Sequence, residues 1–107
     1  MIRYIVDIDG TICTNTNGDY ANAKPILHRI EHFNRLFEAG NQVHYWSARG
    51  GNSGIDWTEF TENQLKEWNV KFSTFRLGKP VYDVWVDDKS YNADSYFYTN
   101  ENSTNRT

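Results

Sequence analysis

The chain has 107 residues, a net charge of -3 and a pI of about 5.5, with 38% hydrophobic and 16% aromatic residues. This length suits one domain with a single core, and the composition is globular, not disordered. The acidic balance argues against a nucleic-acid partner, and the single cysteine, Cys13, excludes an internal disulfide framework.

The first half of the chain alternates between strand-like and helical patterns. Ile2 to Ile8 clusters β-branched and aromatic residues and stops at Gly10, which predicts a buried strand that ends in a turn. Thr11 to Ala23 is rich in Asn, Thr and Gly and predicts a loop. A helix is predicted from Pro25 to Gly40, and a second strand from Gln42 to Ser47.

The second half repeats this alternation. We predict a helix over Trp57 to Trp68, a third strand over Val70 to Leu77 and a fourth over Tyr82 to Val86. Ser95 to Tyr98 reads as a last edge strand, and the polar tail from Thr99 to Thr107 is expected to fray.

Strands that alternate with helices predict a Rossmann-like, three-layer α/β/α domain over residues 1–98, with a mainly parallel sheet. In such sheets ligands bind at the carboxyl ends of the strands. Polar residues follow each predicted strand: Asp7 and Asp9, Ser47, Lys79, and Asp87 with Asp88. The sequence therefore predicts one site at this edge of the sheet.

The segment Asp7-Ile8-Asp9-Gly10-Thr11 places two carboxylates two residues apart before a glycine turn, so both can converge on one small volume. A solvated turn has the same pattern. An EF-hand loop also begins this way, but Ile12 stands where that loop requires glycine, and no helix precedes it.

Two further groups could bind phosphate. Ser47, at the end of an apolar strand and followed by Gly50, can donate to a phosphate oxygen beside free backbone N–H groups, although a simple turn serine fits as well. Lys79 lies between Gly78 and Pro80, which fix the backbone that carries it, and it would face the predicted carboxylates.

Asp87 and Asp88 are adjacent acids at the end of an apolar strand, where their like charges raise each other's pKa unless a cation intervenes. Hard oxygen ligands of this kind suit Mg²⁺. Because neighbouring strand residues point to opposite faces, only one can reach a given centre directly. Capping of the following turn is the alternative interpretation.

Taken in order, these groups resemble the four motifs of the haloacid dehalogenase-like (HAD) phosphatase superfamily: Asp-x-Asp-Gly-Thr, strand-Ser-x-Arg-Gly, Gly-Lys-Pro and strand-Asp-Asp. The likeness spans Ile5 to Lys89. A closer likeness to small capless members, the capsule-biosynthesis phosphatases, rests on Asp19 to Pro25, Gln64 to Trp68 and Asp87 to Lys89.

The resemblance implies a role for each motif residue. Asp7 would attack phosphorus and form an aspartyl-phosphate, while Asp9 would protonate the leaving oxygen and then activate water. Ser47 and Lys79 would contact the phosphoryl group, as part of a substrate-binding set that also includes Gly10, Thr11, Ala48 and Arg49.

The resemblance also implies a Mg²⁺ cofactor. The ion would be held by the Asp7 carboxylate, the Asp9 backbone carbonyl and Asp88. Asp87 would lie next to these ligands without binding the ion directly.

Neither Thr11 to Lys24 nor Gly51 to Gly78 leaves room for an inserted cap domain, so we expect an open site. A neighbouring subunit could cover it, which favours a homo-oligomer acting on a sugar phosphate or a similar small metabolite. The runner-up is a monomer acting on a nucleic-acid end or a phosphoprotein.

Two other classes compete with a phosphatase. A phospho-accepting receiver domain uses similar residues, but it carries its acidic pair after the first strand and its lysine near the last, whereas Asp87-Asp88 comes last here. The other class is a non-catalytic metal or phosphate binder.

No run is long enough to span a bilayer, and Met1-Ile2-Arg3 lacks a signal peptide's features, so we expect a cytoplasmic protein without a membrane partner.

Overall fold

A computed structural model describes residues 1–98. The elements in chain order are β1 (Arg3–Val6), a 3-10 turn (Tyr20–Asn22), α1 (Leu27–Glu38), β2 (Gln42–Trp46), α2 (Thr58–Glu67) and β3 (Thr74–Arg76). A final helix, α3, covers residues 93–98.

The three strands form one sheet in the order β1-β2-β3, and both pairings are parallel. Ile5 lies opposite His44, and His44 lies opposite Thr74. The prediction of an α/β domain with a parallel sheet is therefore confirmed. Because all strands run in one direction, their carboxyl ends meet at a single edge, where ligands bind in folds of this type.

Helix α1 packs on the sheet through an aromatic contact at its centre. The buried ring of Phe33 meets Tyr4 of β1 and Tyr45 of β2 edge-on, with centroids 6.3 and 6.4 Å apart. The helix ends just before Gly40, which adopts a φ of 96° that favours glycine. The predicted helix is confirmed in type and position.

Buried residues of the three helices, of two strands and of the segments beside them form one continuous core: Val6, Ile8, Ile12, Cys13, Ala23, Ile30, Phe33, Val43, Tyr45, Leu65, Val70 and Phe97. Within residues 1–98, the Phe33 contacts lie on one face of the sheet, whereas Ile5, which points to the other face, is 67% exposed. The core therefore fixes the orientation of the strands from one side.

The predicted fourth strand, Tyr82 to Val86, is wrong for this structure. That segment has no strand conformation, and Val84 and Val86 are 77% and 92% exposed. A period-two apolar pattern describes how side chains alternate, but a strand also needs a hydrogen-bonded neighbour. The chain leaves the sheet earlier, where Gly78 adopts a φ of 77° and the Lys79 N–H donates to the Ser47 carbonyl.

The predicted edge strand Ser95 to Tyr98 is also wrong, because this segment belongs to α3. The Asn92 side chain accepts hydrogen bonds from the N–H groups of Asp94 and Ser95 at 3.0 and 3.5 Å, and the Tyr96 N–H donates to the Asn92 carbonyl. These bonds cap the start of a helix, a role for which asparagine is well suited.

The third strand is shorter than predicted, since only Thr74–Arg76 of Val70 to Leu77 forms β3. The predicted helix Trp57 to Trp68 is confirmed as α2, with both tryptophans flanking it. The predicted tail, residues 99–107, lies outside the described residues. Among residues 1–98, no helix is long and apolar enough to cross a membrane.

Candidate active site

A pocket of about 680 Å³ opens where the strands end. Asp7 and Asp9 reach it from the end of β1, Ala48 from the end of β2, and Lys79 from the segment after β3, while Arg49 lies in the pocket wall with its side chain fully buried. The parallel sheet thus brings together five of the residues that the sequence predicted for the site.

Asp7 stands at the pocket with its side chain 37% exposed. Burial raises the pKa of its carboxyl group, and the nearby charge of Lys79 opposes that rise. The Lys79 Nζ lies 3.9 Å from Asp7 Oδ1. Partial desolvation of a carboxylate that faces a cation suits a nucleophile.

Lys79 is held more tightly than a surface lysine. Its side chain is 12% exposed, and its ammonium group lies over the rings of Tyr82 and Trp85, 5.1 and 5.3 Å from their centroids. Such cation–π contacts restrain the side chain without using its hydrogen-bond donors. The charge is therefore placed beside Asp7 with donors left for a ligand.

Asp9 is held by Arg49 in a two-point ion pair. Nε and Nη2 of the guanidinium donate to the two carboxylate oxygens of Asp9, each at 2.9 Å. The Cys13 thiol lies 3.5 Å from Asp9 Oδ1, and burial raises the pKa of that thiol to about 12. Cys13 therefore remains a neutral donor beside Asp9, not a reactive thiolate.

Ser47 does not line the pocket in this structure. It is fully buried, and its Oγ accepts a hydrogen bond of 3.1 Å from the Arg49 N–H. Gly10 and Thr11 also lie outside the pocket lining, in the turn after β1, where Gly10 has a φ of 82°. The phosphate contacts predicted for these three residues stay predictions.

Asp87 and Asp88 are exposed and do not line the pocket. The Lys89 backbone N–H donates to Asp87 Oδ1 at 2.9 Å, and this bond lowers the pKa of Asp87. Within residues 1–98, no group of three or more His, Cys, Asp or Glu side chains is placed to hold a metal ion. Asp88 does not stand with Asp7 and Asp9 in this arrangement, because the strand that would have carried the two acids to this edge is not formed. The Mg²⁺ site stays a prediction.

Several residues of the site were not predicted from the sequence. The Tyr20 ring lies under the Arg49 guanidinium at 4.4 Å and meets Trp57 edge-on. Uncharged polar side chains complete the pocket wall: Asn15, Asn17, Asn52 and Ser53. The sequence carries one signal of these contacts: Thr61 and Gln64 are polar residues on the buried face of α2, where apolar residues are usual.

No family model and no curated protein matches the chain. A crystal structure of a structural-genomics target from Vibrio cholerae is similar, with 26% sequence identity and a TM-score of 0.78. The match covers 90% of this chain and 87% of that one. This likeness supports the α/β fold described above.

Proposed function

We propose that this protein is a phosphomonoester hydrolase that works through an aspartyl-phosphate on Asp7. The observation that carries the proposal is the pairing of the Asp7 carboxylate with Lys79 in the pocket, at 3.9 Å, with Asp9 two residues further along the same strand end. A nucleophile, a cation and a second carboxylate at one edge of a parallel sheet suit phosphoryl transfer, which depends on positioning and charge neutralisation.

The proposed reaction has two steps. In the first, an Asp7 oxygen attacks phosphorus, the bond from phosphorus to the leaving oxygen breaks, and Asp9, which enters this step as the carboxylic acid, gives that oxygen its proton. In the second, Asp9 takes a proton from water, whose oxygen attacks phosphorus, and the bond from phosphorus to the Asp7 oxygen breaks to release inorganic phosphate. The second step regenerates the Asp7 carboxylate.

Lys79 stabilises the charge of the transferring group in both steps. Its ammonium lies beside Asp7 and is restrained by aromatic rings, so it is placed before the substrate arrives. A preplaced cation stabilises developing charge without reorganising during the reaction.

Dependence on Mg²⁺ is part of the proposal, and its support is the sequence resemblance that assigns Asp7, Asp9 and Asp88 to the ion. The described arrangement does not assemble this set, and no step above is routed through the metal. Addition of Mg²⁺ and of excess chelator to the turnover assay tests the dependence directly.

The pocket wall favours a sugar phosphate or a similar small metabolite. Amide and hydroxyl side chains of Asn15, Asn17, Asn52 and Ser53 offer donors and acceptors for hydroxyl groups, and the rings of Tyr20, Trp57 and Tyr82 offer apolar faces. A ligand with several hydroxyl groups and apolar C–H faces matches both features.

We further propose a cytoplasmic homo-oligomer. Val84 and Val86 are 77% and 92% exposed, next to the half-exposed ring of Trp85. Contiguous exposed apolar side chains are typical of interaction surfaces. A subunit seated there would lie close to Lys79, which contacts Trp85, and could cover the open pocket. The single, buried Cys13 suits a reducing compartment.

The test is hydrolysis of p-nitrophenyl phosphate with Mg²⁺, followed by a panel of sugar phosphates, nucleotides, phosphopeptides and 5′-phosphorylated oligonucleotides. We expect turnover that excess chelator abolishes, with the sugar phosphates preferred. Stoichiometric labelling without turnover would indicate a receiver-like domain, and no reaction with any of these compounds would contradict the proposal.

A further inference from the structure

Arg49 is a buried cation whose donors are already committed. Its side chain has no exposed surface. Besides the two bonds to Asp9, Nη1 donates to Thr61 Oγ1 at 3.1 Å and to Gln64 Oε1 at 2.7 Å. Four of the five guanidinium N–H donors are thus used by protein groups. A ligand in the pocket would meet Lys79 as a cation before it could meet Arg49.

The groups around Arg49 form a scaffold that we call the Arg49 cluster: Tyr20, Thr61 and Gln64. The Tyr20 ring covers one face of the guanidinium at 4.4 Å. Gln64 also donates from Nε2 to the Tyr20 carbonyl at 2.8 Å, so α2 is tied to the turn that carries this ring. The guanidinium plane is therefore fixed from two sides by parts of the chain that are distant in sequence.

A fixed guanidinium plane fixes the carboxylate that it binds. Two parallel N–H···O bonds define the distance and also the rotation of the Asp9 carboxyl group, which a single point charge cannot do. The bidentate arginine uses two of the roughly four lone-pair sites of the carboxylate and the Cys13 thiol uses a third, so one site stays open for a proton in transit.

We propose that Arg49 is a positioning residue that orients Asp9 for proton transfer, and that it does not bind substrate. This inference rests on the proposed phosphatase function. It replaces the substrate-binding role that the sequence resemblance implied for Arg49, and it makes α2 and the Tyr20 turn the support of the acid/base group.

Steady-state kinetics with p-nitrophenyl phosphate separate the two roles. For Arg49→Gln we expect kcat to fall roughly 100-fold, as is typical when a reacting group is misplaced by about an ångström. The KM and the inhibition constant of inorganic phosphate should change less than about threefold, because the contacts that bind substrate and transition state equally well are kept. Arg49→Lys should not restore kcat, since lysine keeps the charge but not the bidentate geometry.

Arg76→Gln is the matched control, because Arg76 is an exposed arginine at the end of β3 whose side chain contacts Trp46. It should keep the wild-type kcat. A raised KM or phosphate inhibition constant in Arg49→Gln with unchanged kcat would overturn the proposal, as would full recovery of kcat in Arg49→Lys.

A second measurement does not depend on turnover. Loss of Arg49 leaves the Asp9 carboxylate, whose side chain is only 18% exposed, without its ion-pair partner. Arg49→Gln should therefore lower the urea midpoint of unfolding. Adding Asp9→Asn to this variant should raise that midpoint again, because the unpaired, partly buried carboxylate charge is removed. A double variant no more stable than Arg49→Gln would contradict the pairing. An inactive wild-type protein would instead refute the proposed phosphatase.

Discussion

Lys79 is the residue whose loss reports most specifically on charge stabilisation in the pocket. Lys79→Gln removes the cation beside Asp7 but keeps a side chain of similar length. We expect kcat/KM to fall roughly 100-fold, the usual effect of losing one preplaced group that stabilises transition-state charge.

The control is Lys71→Gln, since Lys71 pairs with Glu38 on the surface and its side chain is 51% exposed. Turnover by that variant should match the wild-type protein. Equal kcat/KM values for the two lysine variants would remove Lys79 from the account.

At the scale of an element, the loop after β2 depends on Gly50. Its φ of 79° favours glycine, and a Cβ there would collide with the Ile55 carbonyl oxygen. We expect Gly50→Ala to lower the free energy of unfolding by roughly 2 kcal/mol or more, from backbone strain and the collision together.

Gly54 separates these two effects. It has a φ of 71°, but a Cβ there would meet nothing within 4 Å. Gly54→Ala should therefore cost only about 1 kcal/mol, from the left-handed backbone alone. Urea unfolding of both variants measures the difference, and equal losses would show that the Ile55 contact is unimportant.

The docking of α3 on α1 should depend on pH through His32. Its Nε2 lies 2.7 Å from the Tyr96 hydroxyl, and burial followed by the charge of Arg35 lowers its pKa from the ordinary value of 6.5. The unfolded chain therefore takes up this proton at a higher pH than the folded one, and stability should be lost as the pH falls below about 6.5.

His32→Gln removes the titrating group and should flatten that part of the stability profile, measured as the free energy of unfolding between pH 7.5 and pH 5. His44→Gln, on β2, controls for the loss of a histidine elsewhere. A wild-type profile no steeper than that of His32→Gln would contradict the assignment.

The strand ends of the site could be predicted from the sequence because each follows a short apolar run, and parallel strands bring their ends together. Asp7, Asp9 and Lys79 were located in this way. The contacts of Arg49 could not be predicted, since its partner Asp9 lies 40 positions earlier and its other partners lie on α2. Contacts so distant in sequence appear only in the folded chain.

The two wrong strand predictions show which local sequence signals determine secondary structure after residue 81. Tyr82 to Val86 alternates like a strand, but alternation does not supply the neighbour that a strand requires. For Ser95 to Tyr98, the capping residue Asn92 was the better guide, because its side chain satisfies the first N–H groups of α3.

For the whole molecule, the exposed apolar side chains of Val84, Trp85 and Val86 predict self-association. Light scattering should give the mass of a dimer or a larger assembly, and Val86→Lys should reduce that mass because it places a charge in the contact. Leu27→Lys is the control, since Leu27 is a 62% exposed apolar residue on α1. A monomer at micromolar concentration would contradict the proposed oligomer.

The most direct test of the central claim is to trap the aspartyl-phosphate. The protein is quenched during the phosphatase assay and treated with borohydride, which reduces an acyl phosphate at aspartate to homoserine, and the peptides are sequenced by mass spectrometry. We predict homoserine at position 7 in the wild-type protein and none in Asp7→Asn, which should also lose its turnover. Homoserine at another position, or near-normal turnover by Asp7→Asn, would contradict Asp7 as the nucleophile.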